Sequence, residues 1–203
     1  MEITVFPVTP FYTNCYVVKE GDEAIVIDPG EATPELKKYL SGCSVTMILN
    51  THCHCDHSGG NAEIVALTGA PLVCHEADLP LLNTLSEQGS MFGVYFPPSP
   101  APDRFINHGD TITVGGTVFQ VRHTPGHSPG HVVLITDGIA LVGDVLFSGS
   151  VGRTDLPGGS MRQLLKSIRE QLLDLPDDTV VYSGHGPETT IGKERRSNPF
   201  LVN

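Results

Sequence analysis

Four side chains able to hold a divalent cation fall within six residues in Thr51-His52-Cys53-His54-Cys55-Asp56-His57-Ser58-Gly59-Gly60. The segment follows an apolar run, 45–49, that reads as a buried strand ending at Asn50-Thr51. In an extended chain alternate side chains share a face. His52, His54 and Asp56 then point one way and Cys53 and Cys55 the other, and a turn at Ser58-Gly59-Gly60 brings in His57. Three later segments repeat the order of apolar strand, glycine and ligand-capable residue. The run 117–121 leads to Thr124-Pro125-Gly126-His127, 139–142 to Gly143-Asp144, and 179–182 to Ser183-Gly184-His185. Ligands collect where strand ends meet loops in layered α/β folds. The donors on offer are His52, His54, Asp56, His57, His127, Asp144 and His185. Seven exceed one tetrahedral ion and suit two ions ~3.5–4 Å apart that share a carboxylate. Zinc is the expected metal, and iron or manganese fits the same imidazole and carboxylate donors.

The elements that must position these donors are legible as patterns. Strands are expected at 3–6, 16–18 and 24–27, where Ile27 runs into Asp28-Pro29-Gly30. A helix opens at Thr33 with Pro34 in its first turn and stops at Gly42. Residues 61–68 suit a short helix, 71–74 a strand and 77–85 a helix. Residues 89–103 are rich in both proline and apolar side chains, and a loop this long is usually functional or disordered. Strands resume at 112–114, 118–121, 132–135 and 139–142. Met161, Leu164, Leu165, Ile168, Leu172 and Leu175 then form the stripe of an amphipathic, core-facing helix. A last strand covers 179–182, and a helical turn or two falls within 192–198. Strands grouped with single helices in both halves imply a layered α/β architecture.

Composition narrows the partners. The 203 residues suffice for one substantial core and crowd a second normal domain, so one domain over 1–203 is expected. Twelve Lys and Arg against 23 Asp and Glu give a net charge of −11, which disfavours nucleic acid and anionic membrane surfaces. No apolar run approaches the ~20 residues of a membrane span, and the first residues lack the basic start of a signal peptide. Five irregularly spaced cysteines fit a reducing compartment, and a cytoplasmic location is expected. Cys53 and Cys55 read as small packing residues rather than thiolate ligands. His75, His108, His123 and His131 are not expected to be ligands, although His131 starts a strand close to the donors.

On these motifs the chain resembles the metallo-β-lactamase fold hydrolases, and within them the glyoxalase II-like branch. His52-Cys53-His54-Cys55-Asp56-His57 matches the family's H-x-H-x-D-H, and the later His127, Asp144 and His185 motifs follow in the right order. The resemblance covers essentially the whole chain. It implies a four-layer αββα sandwich with the metals at one edge. It further implies that His52, His54 and His127 hold one ion, that Asp56, His57 and His185 hold the other, and that Asp144 bridges them. Asp28 is expected to support ligands from behind, and Asp56 and Asp144 to be catalytic. The implied activity is hydrolysis of a small-molecule thioester, S-lactoylglutathione or a related hydroxyacylglutathione.

The departures also matter. The C-terminal helical extension that grips glutathione in glyoxalase II is expected to be absent, because the sequence stops soon after His185. Gly152-Arg153-Thr154-Asp155 stands where glyoxalase II places a Lys and, two residues on, a Tyr. Arg153, Met91, Phe92 and Phe96, with Tyr95 beside them, are the expected substrate contacts, the aromatic ones if the 89–103 loop covers the site. Persulfide dioxygenases share the fold and a similar Gly-Arg-Thr-Asp stretch, and bind a single iron. The tail from His185-Gly186-Pro187-Glu188 through Asn198-Pro199-Phe200 resembles the small single-domain hydrolases instead. Common class B lactamases, with a cysteine where Asp144 stands, match less well.

Overall fold

A computed structural model of the protein describes residues 1–202. The fold is mixed α/β with two six-stranded sheets, and the chain divides into two compact units. The first comprises residues 1–106 with 113–118, and the second 107–112 with the chain from Phe119 onward.

The sheet of the first unit runs in chain order, from β1 (Glu2–Val8), β2 (Thr13–Glu20) and β3 (Glu23–Ile27) to β4 (Ser44–Leu49), β5 (Leu72–Cys74) and β6 (Arg104–Phe105). β1 to β3 form an antiparallel meander, and from β3 onward the neighbours are parallel. Parallel neighbours need crossovers, and helices supply them. α1 (Pro34–Leu40) starts where Thr33 accepts the Leu36 N–H at 3.2 Å, with proline in the first turn. α3 (Asn61–Thr68) is closed by Gly69 at φ 68°. Leu36, Leu40 and Ile64 pack with Val17, Val26, Ile48 and Leu72 in one buried cluster. Between α1 and α3 a single turn, α2 (Cys55–Ser58), interrupts the expected extended run.

The expected helix at 77–85 is instead two short ones, α4 (Leu79–Leu82) and α5 (Leu85–Ser90), broken at Asn83-Thr84. Thr84 explains part of the break, because its hydroxyl bonds back to the carbonyls of Pro80 and Leu81.

The sheet of the second unit has the order β14-β13-β10-β9-β8-β7. Its strands are β7 (Thr111–Val114), β8 (Thr117–His123), β9 (Val132–Thr136), β10 (Ile139–Gly143), β13 (Val180–Ser183) and β14 (Thr189–Thr190). The tip of the β7–β8 hairpin is counted with the first unit. β11 (Leu146–Phe147) and β12 (Ser150–Val151) form a separate small hairpin. β10 and β13 are parallel, and α6 (Met161–Gln171) crosses between them. Leu164, Ile168 and Leu172 are buried with Val133, Val142 and Val181. The core-facing stripe differs from expectation at both ends: Met161, in the first turn, is exposed, and the helix stops at Gln171, so Leu172 caps it and Leu175 packs from beyond it. α7 (Ile191–Ser197) closes the unit, capped by the Thr190 hydroxyl.

Candidate metal centre

In the first unit the donors are set by what happens at the end of β4. Asp28, directly after β3, is buried and sits in the left-handed region at φ 54°. Its carboxylate accepts both the Thr51 N–H, at 2.7 Å, and the Thr51 hydroxyl, at 2.6 Å. The same carboxylate lies 3.0 Å from His57 Nδ1, and Thr51 Oγ1 lies 3.1 Å from His52 Nδ1. A carboxylate on Nδ1 fixes the ring and leaves Nε2 as the donor atom. Donor atoms of Asp28, His52 and His57 fall within 4.8 Å of one another. The His52 ring centroid is 4.1 Å from that of His57 and 4.9 Å from that of His54. Asp56 completes the group: its Oδ2 accepts the Thr13 hydroxyl at 2.8 Å and lies 3.5 Å from His57 Nε2.

The backbone here does not follow the alternation expected through Asp56. His54 is the last extended residue, and α2 begins at Cys55. Two buried side chains take the backbone donors that a strand would have paired. Asp78 accepts the Cys53 N–H and Gln88 the Cys55 N–H, each at 3.0 Å. Glycine makes the tight course possible, since a Cβ on Gly30 would sit 1.6 Å from the Asp56 carbonyl oxygen. Cys53 and Cys55 nevertheless face away from the imidazoles, into an apolar cluster with Cys74, Leu82, Leu85 and Phe96. A hydrogen bond with Cys74, then burial, raises the Cys53 thiol well above its ordinary pKa. Burial, then the Asp56 charge, pushes Cys55 up to about 12. Packed into that cluster, neither thiol is placed to join the imidazoles as a ligand.

In the second unit one carboxylate oxygen is central. Asp144 Oδ2 is 3.5 Å from His127 Nε2 and 3.6 Å from His185 Nε2. His127 Nδ1 lies 2.8 Å from the carbonyl oxygen of Arg153, so the ring donates there and keeps Nε2 for a ligand. Asp144 follows Gly143, at φ 48°, whose carbonyl accepts the Gly184 N–H at 2.8 Å. That bond ties the Asp144 and His185 loops together.

His131 has a part that its position alone did not reveal. Its Nε2 accepts the Asp144 N–H at 3.0 Å, so the ring proton is on Nδ1, 3.3 Å from the Thr124 hydroxyl. His75, His108 and His123 are engaged elsewhere, with Ala77 N–H, His123 N–H and the Pro129 carbonyl respectively.

The expected substrate contacts are dispersed in character. The Arg153 guanidinium is exposed and grips Asp155 through two bonds of 2.8 Å. That fork, its largest cause, lowers the Asp155 carboxyl to about 2. Met91 and Phe92 are exposed on the surface of their loop. Phe96 is buried in the cysteine-containing cluster, where it packs its loop against the protein.

All seven candidate ligands are imidazole or carboxylate groups, and in each unit they come together at strand ends. This donor chemistry fits borderline divalent ions such as zinc, iron or manganese. Among the described residues no helix is long and apolar enough to cross a membrane.

Residues 8–185 match the profile of the metallo-β-lactamase superfamily. The hydroxyacylglutathione hydrolase GloC of Haemophilus influenzae is 39% identical over 208 residues, covering 99% of this chain and 98% of that protein. Two crystal structures align over nearly the full length. BLEG-1, a B3 metallo-β-lactamase, has a TM-score of 0.92 at 36% identity and is covered completely in both directions. TTHA1623 in a di-iron-bound form has a TM-score of 0.91 at 40% identity, covering 98% of this chain and 100% of that one.

Proposed function

The chain belongs to the metallo-β-lactamase superfamily, a family of metal-binding hydrolases, and from that premise we propose that it hydrolyses glutathione thioesters. The substrate we favour is S-lactoylglutathione or a related hydroxyacylglutathione. The observation that carries this reading is the 39% identity with GloC over nearly the whole of both chains, together with a donor set free of thiolate. We take residues 1–203 as one catalytic domain, since the family match runs through both units.

In this proposal His52, His54 and His127 hold one ion, Asp56, His57 and His185 the other, and Asp144 is shared. The di-iron form of TTHA1623 supports a two-ion centre. We expect zinc, with iron and manganese as the alternatives. When bound, two such ions supply Lewis acidity, bringing the pKa of water to about 7 and polarising a carbonyl.

The protein's own groups do the positioning. Asp28 and the Arg153 carbonyl fix the His57 and His127 rings through Nδ1. Thr13 fixes Asp56 through Oδ2, and Asp56 would orient the attacking water as well as hold a metal ion. Asp144 holds its oxygen between two imidazoles. The departing thiol has a pKa near ~8.5, so the thiolate leaves without a dedicated general acid. Five unbridged cysteines support the reducing cytoplasm as the location.

The test is a comparison of three substrates on one metal-analysed preparation: S-lactoylglutathione, glutathione persulfide with oxygen uptake, and a β-lactam. Thioester hydrolysis with about two ions per chain supports the proposal. Persulfide-dependent oxygen uptake at one iron per chain replaces it with the dioxygenase. Lactam hydrolysis alone replaces it with the activity that BLEG-1 is described by.

A further inference from the structure

In the second unit one segment carries both Asp144 and the brace of His127. It leaves Asp144, turns through the β11–β12 hairpin and returns to Arg153, whose carbonyl holds His127. The two ends close on each other. The Gly152 N–H donates to the Val145 carbonyl at 3.3 Å, and a Cβ on Gly152 would lie 1.9 Å from the Asp144 carbonyl oxygen and 3.3 Å from His127 Nδ1. A shift of the hairpin therefore moves one candidate ligand and the acceptor that orients another. Each of its strands is only two residues long, and a lone two-stranded hairpin is marginal in water. Its position depends on what grips it.

The grip comes from β13, β14 and α7. Ser183 donates its hydroxyl to the Leu146 carbonyl at 2.6 Å. At the tip the Gly149 N–H donates to Glu194 Oε2 at 2.9 Å. Asn198 Nδ2 donates to the Ser150 carbonyl at 2.9 Å and to the same Glu194 oxygen at 2.8 Å. The Thr189 hydroxyl donates to Glu194 Oε1 at 2.6 Å, and Lys193 Nζ reaches the Ser148 hydroxyl at 2.8 Å. Glu194 and Asn198 are fully buried. Among the described residues the partners of Glu194 are neutral donors. A carboxylate buried among neutral groups is costly. Its use here follows from the three donors that converge on it, which an acceptor-only group satisfies together.

We infer that Glu194, with Asn198, is a positioning residue for the metal centre: by clasping the β11–β12 hairpin it fixes where Asp144 and the Arg153 carbonyl stand. The inference rests on the reading of Asp144 and His127 as ligands. Glu194 acts through the backbone of the hairpin and not by touching an ion. Metal–donor distances hold to within about 0.2 Å, so a small displacement of the hairpin is enough to weaken an ion. Glu194 lies 50 residues beyond Asp144 in the sequence, and α7 brings it back to the hairpin tip. The helix itself has no need of this carboxylate, because the Thr190 hydroxyl already caps its first turn.

The experiment measures zinc affinity by chelator competition, with thermal melting alongside, in the full chain and its variants. Glu194→Ala should bind zinc about tenfold more weakly. Glu194→Gln should stay within about twofold of wild type, because its amide oxygen can take the Gly149 N–H and Asn198 while its nitrogen donates to the Thr189 hydroxyl. In Glu194→Ala combined with Asp144→Ala the loss should be smaller than the two separate losses multiplied, since one ligand that Glu194 positions is already gone. Arg122→Met is the control for plain destabilisation. It removes bonds to the Gln171 carbonyl and Asp174 in the same unit, and it should lower the melting temperature with zinc affinity unchanged. If Glu194→Ala does not fold, Asn198→Ala carries the test, with a loss of about threefold for the single tie to Ser150. Wild-type affinity in the folded alanine variant overturns the inference. So does a glutamine variant as weak as alanine, a control that loses zinc equally, or losses that simply multiply. Zinc affinity unchanged in Asp144→Ala alone marks a different failure, that of the ligand reading, and the inference falls with it.

Discussion

The two groups of candidate ligands are braced in different ways. In the first unit the braces are side chains: Asp28 and Thr51 behind His52 and His57, Thr13 on Asp56, and Asp78 and Gln88 on the backbone between the histidines. In the second unit they are mostly main-chain groups. The Arg153 carbonyl orients His127, the Gly143 carbonyl anchors the His185 loop, and the His131 side chain accepts the Asp144 N–H. A side-chain brace is removed by one substitution, whereas a carbonyl survives any substitution that keeps the backbone in place. The first group is therefore the more fragile under mutation, although its imidazoles are deeply buried.

The sharpest test of that contrast starts with the ligands themselves. Asp144→Ala removes the carboxylate shared by His127 and His185, and the proposed ions then lose the charge between them. Turnover should fall by at least ~10³-fold, with metal analysis giving about one ion per chain in place of two. Next comes Asp28→Ala, which touches only braces. It should weaken metal binding by about 10–100-fold while full activity returns at high metal concentration. Metal affinity unchanged in Asp28→Ala would break the comparison, because the first group would then need no side-chain support. Gln88→Leu is milder still. It leaves the Cys55 N–H buried without its acceptor, at a cost of about 1–3 kcal/mol in chemical denaturation, with activity per folded, loaded molecule nearly preserved.

Much of this was legible in the sequence, and the exceptions share a cause. The donors at the four strand ends follow from hydrophobic runs that stop at glycine or threonine, and those runs are local signals. Asp78 and Gln88 carry no such signal. They stand in a polar, helix-like stretch and look like surface residues until α4 and α5 fold back beneath the ligand turn. The turn at Cys55 was hidden for the same reason, since its N–H pairs with a side chain 33 residues away. The burial of Phe96 was not legible, because loop composition does not report which apolar cluster a ring will meet. His131 was visible as a histidine near the donors, yet its acceptor role depends on where the backbone of Asp144 arrives.

The smallest expected effect concerns Arg153, the residue whose side chain and main chain have separate parts. Its carbonyl braces His127, and its guanidinium is held by Asp155. Arg153→Ala keeps the carbonyl, so metal content should not change. It also discards an already paired charge, so KM for a glutathione thioester should rise by no more than about threefold, with no change for an uncharged thioester of similar size. Asp155 gives the opposite arm. Its carboxyl titrates at about 2, below the ordinary 3.8, so the ion pair is present above that ordinary value and is lost only as pH falls through about 2. Throughout the neutral range Asp155 therefore competes with any anionic substrate for Arg153. Asp155→Asn should lower KM for the glutathione thioester by a similar factor and leave the uncharged one alone. Opposite shifts in the two variants would assign the guanidinium to glutathione. Shifts in the same direction would show that the 153–155 loop itself had moved. Loss of a metal ion in Arg153→Ala would show that the main-chain brace depends on the side chain after all, removing the distinction between the two groups of ligands.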